Sequence, residues 1–123
     1  MIRKIALVLA LFISMSGAAF AQATNIVGTY DYNGTEVDGS KYEAPGTLVV
    51  SAEASGAYLV KWDGGEYIGV GQVTGNIFAV AAIAEKRNTI MLLDIAPNGS
   101  LSGKWWRRGD PGNKGTEMWT KKK

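Results

Sequence analysis

The side chains that perform most nucleophilic and acid–base catalysis are missing here, because the sequence contains no His and no Cys. Nucleophiles paired with histidine, histidine general bases and the usual zinc ligand sets are therefore excluded. Carboxylates remain as candidate acids and bases, and a group of them falls within one short region: Asp31, Glu36, Asp38 and Glu43. Glycosidase chemistry would need two of these carboxyl groups to face each other across a cleft.

The acidic region is interpreted as a solvated loop, because nothing in the surrounding sequence indicates burial. Its spacing matches no EF-hand, which leaves weak Ca²⁺ binding as the metal alternative. We therefore predict no catalytic residue, no metal site and no cofactor. An enzyme that uses the acidic loop is the least favoured function.

Two adjacent tryptophans stand in the stretch LSGKWWRRGDPGNKGTEMW, residues 101–119. Successive side chains of an extended strand point to opposite faces of the sheet. Lys104 shares a face with Trp106, and a lysine side chain favours water. The sequence therefore predicts Trp105 inside and Trp106 outside.

The same rule, applied to the charged Glu117, predicts that Met118 points inward and that Trp119 points outward. A hairpin register that sets Trp106 opposite Trp119 also sets Arg108 opposite Glu117. Cross-strand aromatic pairs and opposite-charge pairs each contribute roughly 0.2–1 kcal/mol. This register predicts an outward tryptophan pair surrounded by cations.

That outward pair is the leading functional hypothesis, because Trp and Arg are frequent anchors of protein interfaces. The partner would be an envelope or host-matrix protein. The alternative is a hairpin whose tryptophans stabilise each other and contact no partner. The predicted surface interaction site comprises Trp106, Trp119, Lys104, Arg108 and Lys121.

Short alternating segments separated by Gly, Asn, Asp and Pro predict an all-β fold. The connections are short, so consecutive strands should pair antiparallel. About eight such strands in a small chain favour a single up-and-down β-barrel, because closure removes exposed edges, and a β-sandwich is the alternative. The predicted strands are 26–33, 42–51, 57–62, 66–73, 76–84, 89–96, 100–108 and 115–120.

A second binding hypothesis concerns the inside of that barrel. Aromatic side chains on the inward faces of the predicted strands would hold a small apolar or planar ligand. The alternative is that they simply fill the interior of a small barrel. The predicted cavity residues are Tyr30, Tyr58, Trp62, Tyr67 and Trp105.

The segment 76–96 departs from the expected alternation, because both faces of its strands are apolar. Ile90 and Leu92 oppose Met91 and Leu93 on successive positions. Contiguous apolar surface of this kind usually marks an interface. We therefore predict that a homodimer forms through 76–96, with coverage by the chain's own loop 33–46 as the alternative.

The N-terminal residues are typical of a cleavable signal peptide. A positive pair, Arg3 and Lys4, precedes an apolar run and the A-x-A pattern at Ala19 to Ala21. The apolar run is shorter than the roughly 20 residues that a bilayer span requires, so a stable membrane anchor is the disfavoured alternative. We predict a signal-peptide helix in 1–21 and a mature domain in 22–123, located in the periplasm or outside the cell.

Charge is distributed unevenly along the predicted mature domain. Residues 22–84 contain 2 basic and 7 acidic residues, whereas residues 85–123 contain 9 basic and 4 acidic ones. The net charges of the two halves cancel, and a neutral exported domain argues against a nucleic-acid partner.

Several strand openings also carry a family resemblance, namely IVGTYDYNG, AYLVKW, YIGVG, PNGSLSGKWW and KGTEMW. Together they resemble small secreted β-barrel proteins of soil and plant-associated proteobacteria, some of which are named fibronectin-binding protein. The Gly-x-aromatic openings at Gly28 and Gly103 also resemble those of avidins and lipocalins, which implies a meander barrel with one ligand at its open end. The biotin-contacting residues of avidins have no counterparts here, so biotin binding is not implied. The sequence thus predicts a non-catalytic exported binding protein.

Overall fold

The computed structural model describes residues 25–110, 112 and 114–123. Eight strands occupy most of these ranges: β1 Gly28–Thr35, β2 Gly46–Ala52, β3 Tyr58–Trp62, β4 Tyr67–Thr74, β5 Ile77–Ala84, β6 Arg87–Ile95, β7 Leu101–Arg107 and β8 Gly115–Lys121. Each strand pairs antiparallel with the next in sequence, and β1 pairs with β8 to close the barrel. The predicted up-and-down barrel is therefore confirmed, and the β-sandwich alternative is wrong. The predicted signal-peptide helix lies outside the described residues.

Along β5 the inward-facing side chains become smaller from one end of the barrel to the other. On β5 the inward positions are Phe78, Val80, Ala82 and Ala84, in order along the strand. Phe78 and Val80 are buried and help to fill one half of the interior. The alanines leave space in the other half.

Trp119 occupies the centre of the filled half. Its ring centroid lies 5.8 Å from that of Tyr30, 5.9 Å from that of Trp62 and 6.1 Å from that of Phe78. Aromatic pairs prefer such tilted and edge-to-face arrangements at these separations. The other fully buried side chains of the core are aliphatic: Ile26, Leu48, Val50, Val60, Leu93 and Leu101.

Glycines provide room for two of the interior rings. A Cβ atom at Gly71 would lie 2.5 Å from the Phe78 ring, and one at Gly115 would lie 2.1 Å from the Trp105 ring. No side chain larger than hydrogen fits at such distances. Gly115 therefore determines where the Trp105 indole can lie.

The faces predicted for β8 are wrong. Trp119 is fully buried, whereas Met118 is 45% exposed. On the neighbouring strands β7 and β8, Trp119 pairs with Leu101 and Gly115 pairs with Trp105. The predicted pairing of Trp106 with Trp119 therefore does not form.

The error is an odd shift of register, and an odd shift moves every side chain of a strand to the opposite face. Glu117 pairs with Gly103 rather than with Arg108. The prediction placed Glu117 in water because of its charge. In the structure the carboxyl group lies inside the barrel, where hydrogen-bond donors surround it.

The segment 76–96 forms the hairpin of β5 and β6, and no other part of the described chain covers its outer face. Ile83, Ile90 and Leu92 are each about half exposed on this face. The β1–β2 loop does not lie on it. The alternative that loop 33–46 covers this hairpin is therefore wrong.

Candidate ligand-binding cup

A cavity of about 470 Å³ opens at the barrel end that carries the β1–β2, β3–β4 and β5–β6 turns. We call this cavity the cup. Its walls are mostly aromatic or apolar, and they include Tyr32, Tyr42, Trp62, Tyr67, Met91 and Trp105. Ligand pockets for small molecules commonly measure about 300–1,000 Å³, so the cup has an appropriate volume.

Glu117 projects into the base of the cup from β8. Its side chain is buried, with 7% of the residue exposed. Its Oε1 accepts hydrogen bonds from Trp62 Nε1 and from Trp119 Nε1, both at 2.9 Å. Its Oε2 accepts a hydrogen bond from the Tyr42 hydroxyl, also at 2.9 Å.

Burial raises the pKa of Glu117 because it penalises the charged carboxylate. The hydrogen bonds from Trp62, Trp119 and Tyr42 act in the opposite direction, and the net pKa remains raised. Burial, followed by the charge of Glu117, also raises the pKa of Tyr42. Tyr42 therefore stays protonated and acts as a donor.

Trp105 forms one wall and is 5% exposed. Its indole N–H is buried and has no hydrogen-bond partner among the described residues. The Arg107 guanidinium carbon lies 5.5 Å from the centroid of the Trp105 ring, within cation–π range. The ring face thus already interacts with one cation of the chain itself.

Arg107 belongs to an ion-pair cluster at the rim. Its guanidinium contacts Asp110 at 2.9 Å and Glu85 at 3.0 Å. Arg87 contacts the same two carboxylates, at 2.6 Å from Asp110 and 3.5 Å from Glu85. Acidic partners within the cluster therefore balance the charge of Arg107.

Other carboxylates around the rim have no such balance. Asp63 accepts a hydrogen bond from the Tyr32 hydroxyl at 2.5 Å. Glu36, Glu43 and Glu66 also line the cup, and none of them forms a salt bridge with a described residue. The mouth of the cup is therefore negatively charged.

The effect of this charge is visible at Tyr67. Burial raises the pKa of its hydroxyl, and the nearby carboxylates, Glu66 first among them, raise the pKa further. Negative charge disfavours the formation of another anion. An anionic ligand would meet the same repulsion.

The structure brings together some of the predicted cavity residues. Trp62, Tyr67 and Trp105 line the cup. Tyr30 and Tyr58 instead belong to the filled half, where Tyr30 donates a hydrogen bond to the Ile26 carbonyl at 2.7 Å and Tyr58 packs edge-on against Phe78.

The residues of the predicted surface site are dispersed. Trp106 lies on the outer face of β7, with Lys114 5.6 Å from its ring centroid, and Lys104 is exposed on that same face. Lys121 lies at the far end of the barrel, where its Nζ donates to the Asn25 carbonyl at 3.0 Å. Arg108 is exposed in the turn that follows β7.

The acidic region is also divided. Asp31 points outward and pairs with Lys122 at 3.3 Å, and Asp38 accepts hydrogen bonds from Ser40 within its own loop. Glu36 and Glu43 reach the rim of the cup. Within the described ranges, no cluster of three or more acidic residues is arranged to hold a metal ion.

Sequence reasoning missed Glu117 and Tyr42, which form the polar base of the cup. A signal was present in the alternation of Gly115, Glu117 and Trp119, because a glycine and a tryptophan on one face are more typical of an interior than of a solvated surface. The charge of Glu117 outweighed that signal.

No family model and no curated protein matches this chain. The predicted resemblance to small secreted barrels, avidins and lipocalins therefore stays a prediction. In the part of the chain that the structure describes, no helix is long and apolar enough to cross a bilayer.

Proposed function

We propose that this protein binds a small planar ligand in the cup and performs no chemistry on it. The observation that carries the proposal is an open aromatic cavity of about 470 Å³ above a filled half-barrel. Closely packed barrels of this size ordinarily fill their interior with side chains. Here Ala82 and Ala84 occupy inward positions where larger residues would close the space.

The polar groups of the cup support binding rather than catalysis. Both oxygens of Glu117 already accept hydrogen bonds from the protein, so the carboxyl group is fixed in place. Catalytic acid–base pairs need a second group that can exchange a proton with the substrate. The Tyr42 hydroxyl contacts Glu117 Oε2, and its raised pKa keeps it protonated as a hydrogen-bond donor.

A variant that fills the cup tests the proposal. Ala82→Phe places a ring in the cavity, whereas Ala81→Phe places the same ring on the outer face of the same strand. Three probes share a benzene ring: benzyl alcohol, benzyltrimethylammonium and benzoate. Their binding is measured by tryptophan fluorescence and by the indole N–H signals in NMR spectra.

We expect at least one probe to shift the signals of Trp62 and Trp105 in the wild type and in Ala81→Phe, but not in Ala82→Phe. If no probe shifts these signals in the wild type, the proposed function is wrong. Native mass spectrometry of the purified protein would then detect any small molecule that copurifies with it.

A second proposal concerns self-association through 76–96. Four outward side chains, one on each strand from β4 to β7, lie opposite one another and form one apolar row on the barrel surface: Val70, Ala81, Ile90 and Trp106. Contiguous exposed apolar surface of this kind is typical of an interface. This row, rather than a pair with Trp119, is the environment of Trp106. The predicted contact with an envelope or host-matrix protein was based on a pair of Trp106 with Trp119, and that pair does not form.

Export to the periplasm or the medium remains part of the proposal. Its basis is the charged, apolar and A-x-A pattern of residues 1–21. The mass of the protein recovered after expression in a bacterial host tests it, because cleavage after Ala21 leaves Gln22 as the first residue.

A further inference from the structure

We propose that the cup selects an organic cation, that is, a planar or compact apolar group carrying an amine or quaternary ammonium. The inference rests on the proposed binding function and adds the chemical class of the ligand. It follows from the charge of the rim, the nature of the walls and the size of the cavity together.

The rim supplies an uncompensated negative field. Among the described residues that line the cup, Arg107 is the only cation, and Glu85 and Asp110 already pair with it. The carboxylates of Glu43 and Glu66 remain without an ion-pair partner in the described chain. A concave site bordered by one sign of charge concentrates ligands of the opposite sign.

The walls suit a cation that carries apolar groups. Trp62, Tyr67 and Trp105 present aromatic surface to the cavity, and aromatic faces attract ammonium and guanidinium groups. The position of Arg107 above the Trp105 ring, at 5.5 Å, shows this attraction within the protein itself.

The size and layout of the site argue against a bare metal ion. A cavity of about 470 Å³ is far larger than a coordination sphere, whose metal–oxygen distances are about 2.0–2.6 Å. The rim carboxylates do not converge, because no group of three acidic residues in the described ranges is positioned as a ligand set. A cation that fills this volume must therefore be organic.

Three probes with the same ring separate charge from shape. Benzyltrimethylammonium is a cation, benzyl alcohol is neutral and benzoate is an anion. We expect the cation to bind most tightly, with an affinity that falls as salt rises from about 20 to about 500 mM, because the Debye length shrinks over that range. Benzoate should not bind at low salt.

Charge-matched variants locate the effect. Glu43→Gln with Glu66→Gln removes charge from the rim, whereas Glu53→Gln with Asp94→Asn removes the same charge from exposed positions away from the cup. Exposed ion pairs are weak and the rim variant removes two of them, so it should lose roughly two- to thirtyfold in affinity for the cation. The control variant should bind as the wild type does.

The outcomes distinguish this inference from the function on which it rests. Equal binding of benzyl alcohol and benzyltrimethylammonium in the cup would leave the binding function intact and overturn the selection of cations. An equal loss of affinity in the rim and control variants would also overturn it. If none of the three probes binds, both the selection of cations and the proposed binding function are wrong.

Discussion

Glu117 and Trp119 lie two residues apart on β8, on the inner face of the barrel, and the indole N–H of Trp119 donates to Glu117 Oε1 at 2.9 Å. The two-residue repeat of a strand brings both side chains to one face. Trp119 fills the centre of the packed half, and Glu117 forms the base of the cup. This pair therefore marks the boundary between core and site.

Removal of the Glu117 carboxyl group should destabilise the fold. In Glu117→Ala the indoles of Trp62 and Trp119 and the hydroxyl of Tyr42 lose their shared acceptor. The two indoles are buried, and each buried donor left without an acceptor costs about 1–3 kcal/mol, so we expect a loss of about 2 kcal/mol or more. Urea unfolding measures it.

The exposed Glu53→Ala is the control for that measurement, because substitutions away from such networks stay within about 0.5 kcal/mol. Equal unfolding midpoints for the two variants would show that the hydrogen bonds to Glu117 contribute nothing to stability.

The pH dependence of stability should have the sign that a raised carboxyl pKa imposes. Because the folded protein holds the Glu117 proton more tightly than the unfolded chain does, its contribution is complete below the unfolded pKa. That contribution is lost as pH rises through the folded value. Glu117→Gln keeps the shape and cannot ionise.

The free energy of unfolding of Glu117→Gln relative to wild type should therefore increase as pH rises from about 4 to about 8. Urea titrations of both proteins across this range provide the comparison. A gap that stays constant with pH would mean that Glu117 ionises as easily inside the barrel as in the unfolded chain.

The local sequence pattern was sufficient to predict the strands of the barrel. Seven of the predicted segments begin within two residues of β1 and β3 to β8, and β2 begins later, at Gly46. Turn residues and period-two alternation are local signals, so a single sequence carries them. The closure of β1 onto β8 followed from the need to remove edges.

The interior of the site could not be predicted in the same way. The position of Glu117 depends on donors from β3 and from the β1–β2 loop, which are distant in sequence. The β7–β8 register also depended on the whole barrel, whereas the predicted pairing used only the two strands. Charge is a reliable guide to exposure only where no buried donors compensate it.

Truncation of Trp119 should cost far more stability than truncation of Trp106, although the sequence predicted that both side chains point outward. Trp119→Ala empties the centre of the packed half and should cost about 3–5 kcal/mol. Trp106→Ala, on the outer face, should cost less than about 1 kcal/mol. Thermal and urea unfolding of both variants test this difference, and a larger effect for Trp106 would contradict the observed β8 face.

A methyl group at Gly115 should disturb the cup. The added Cβ of Gly115→Ala would overlap the Trp105 indole, so the ring or the strand must move. Overpacking of this kind costs about 1–3 kcal/mol. The indole N–H signal of Trp105 should shift, and the affinity for benzyltrimethylammonium should fall. Thr120→Ala, on the outer face of the same strand, is the control. An unshifted Trp105 signal in Gly115→Ala would contradict this positioning role.

The outer row of β4 to β7 should hold two copies of the protein together. Ile90 is 54% exposed in that row, whereas Val49 is 44% exposed on β2, across the barrel. Ile90→Glu places a charge where apolar surfaces would meet, and the two negative charges of a symmetric pair would also repel. We expect sedimentation equilibrium to show a dimer for the wild type and for Val49→Glu, and a monomer for Ile90→Glu. A monomeric wild type would mean that the exposed row serves no contact between copies, and a dimer that survives Ile90→Glu would place the contact elsewhere on the barrel.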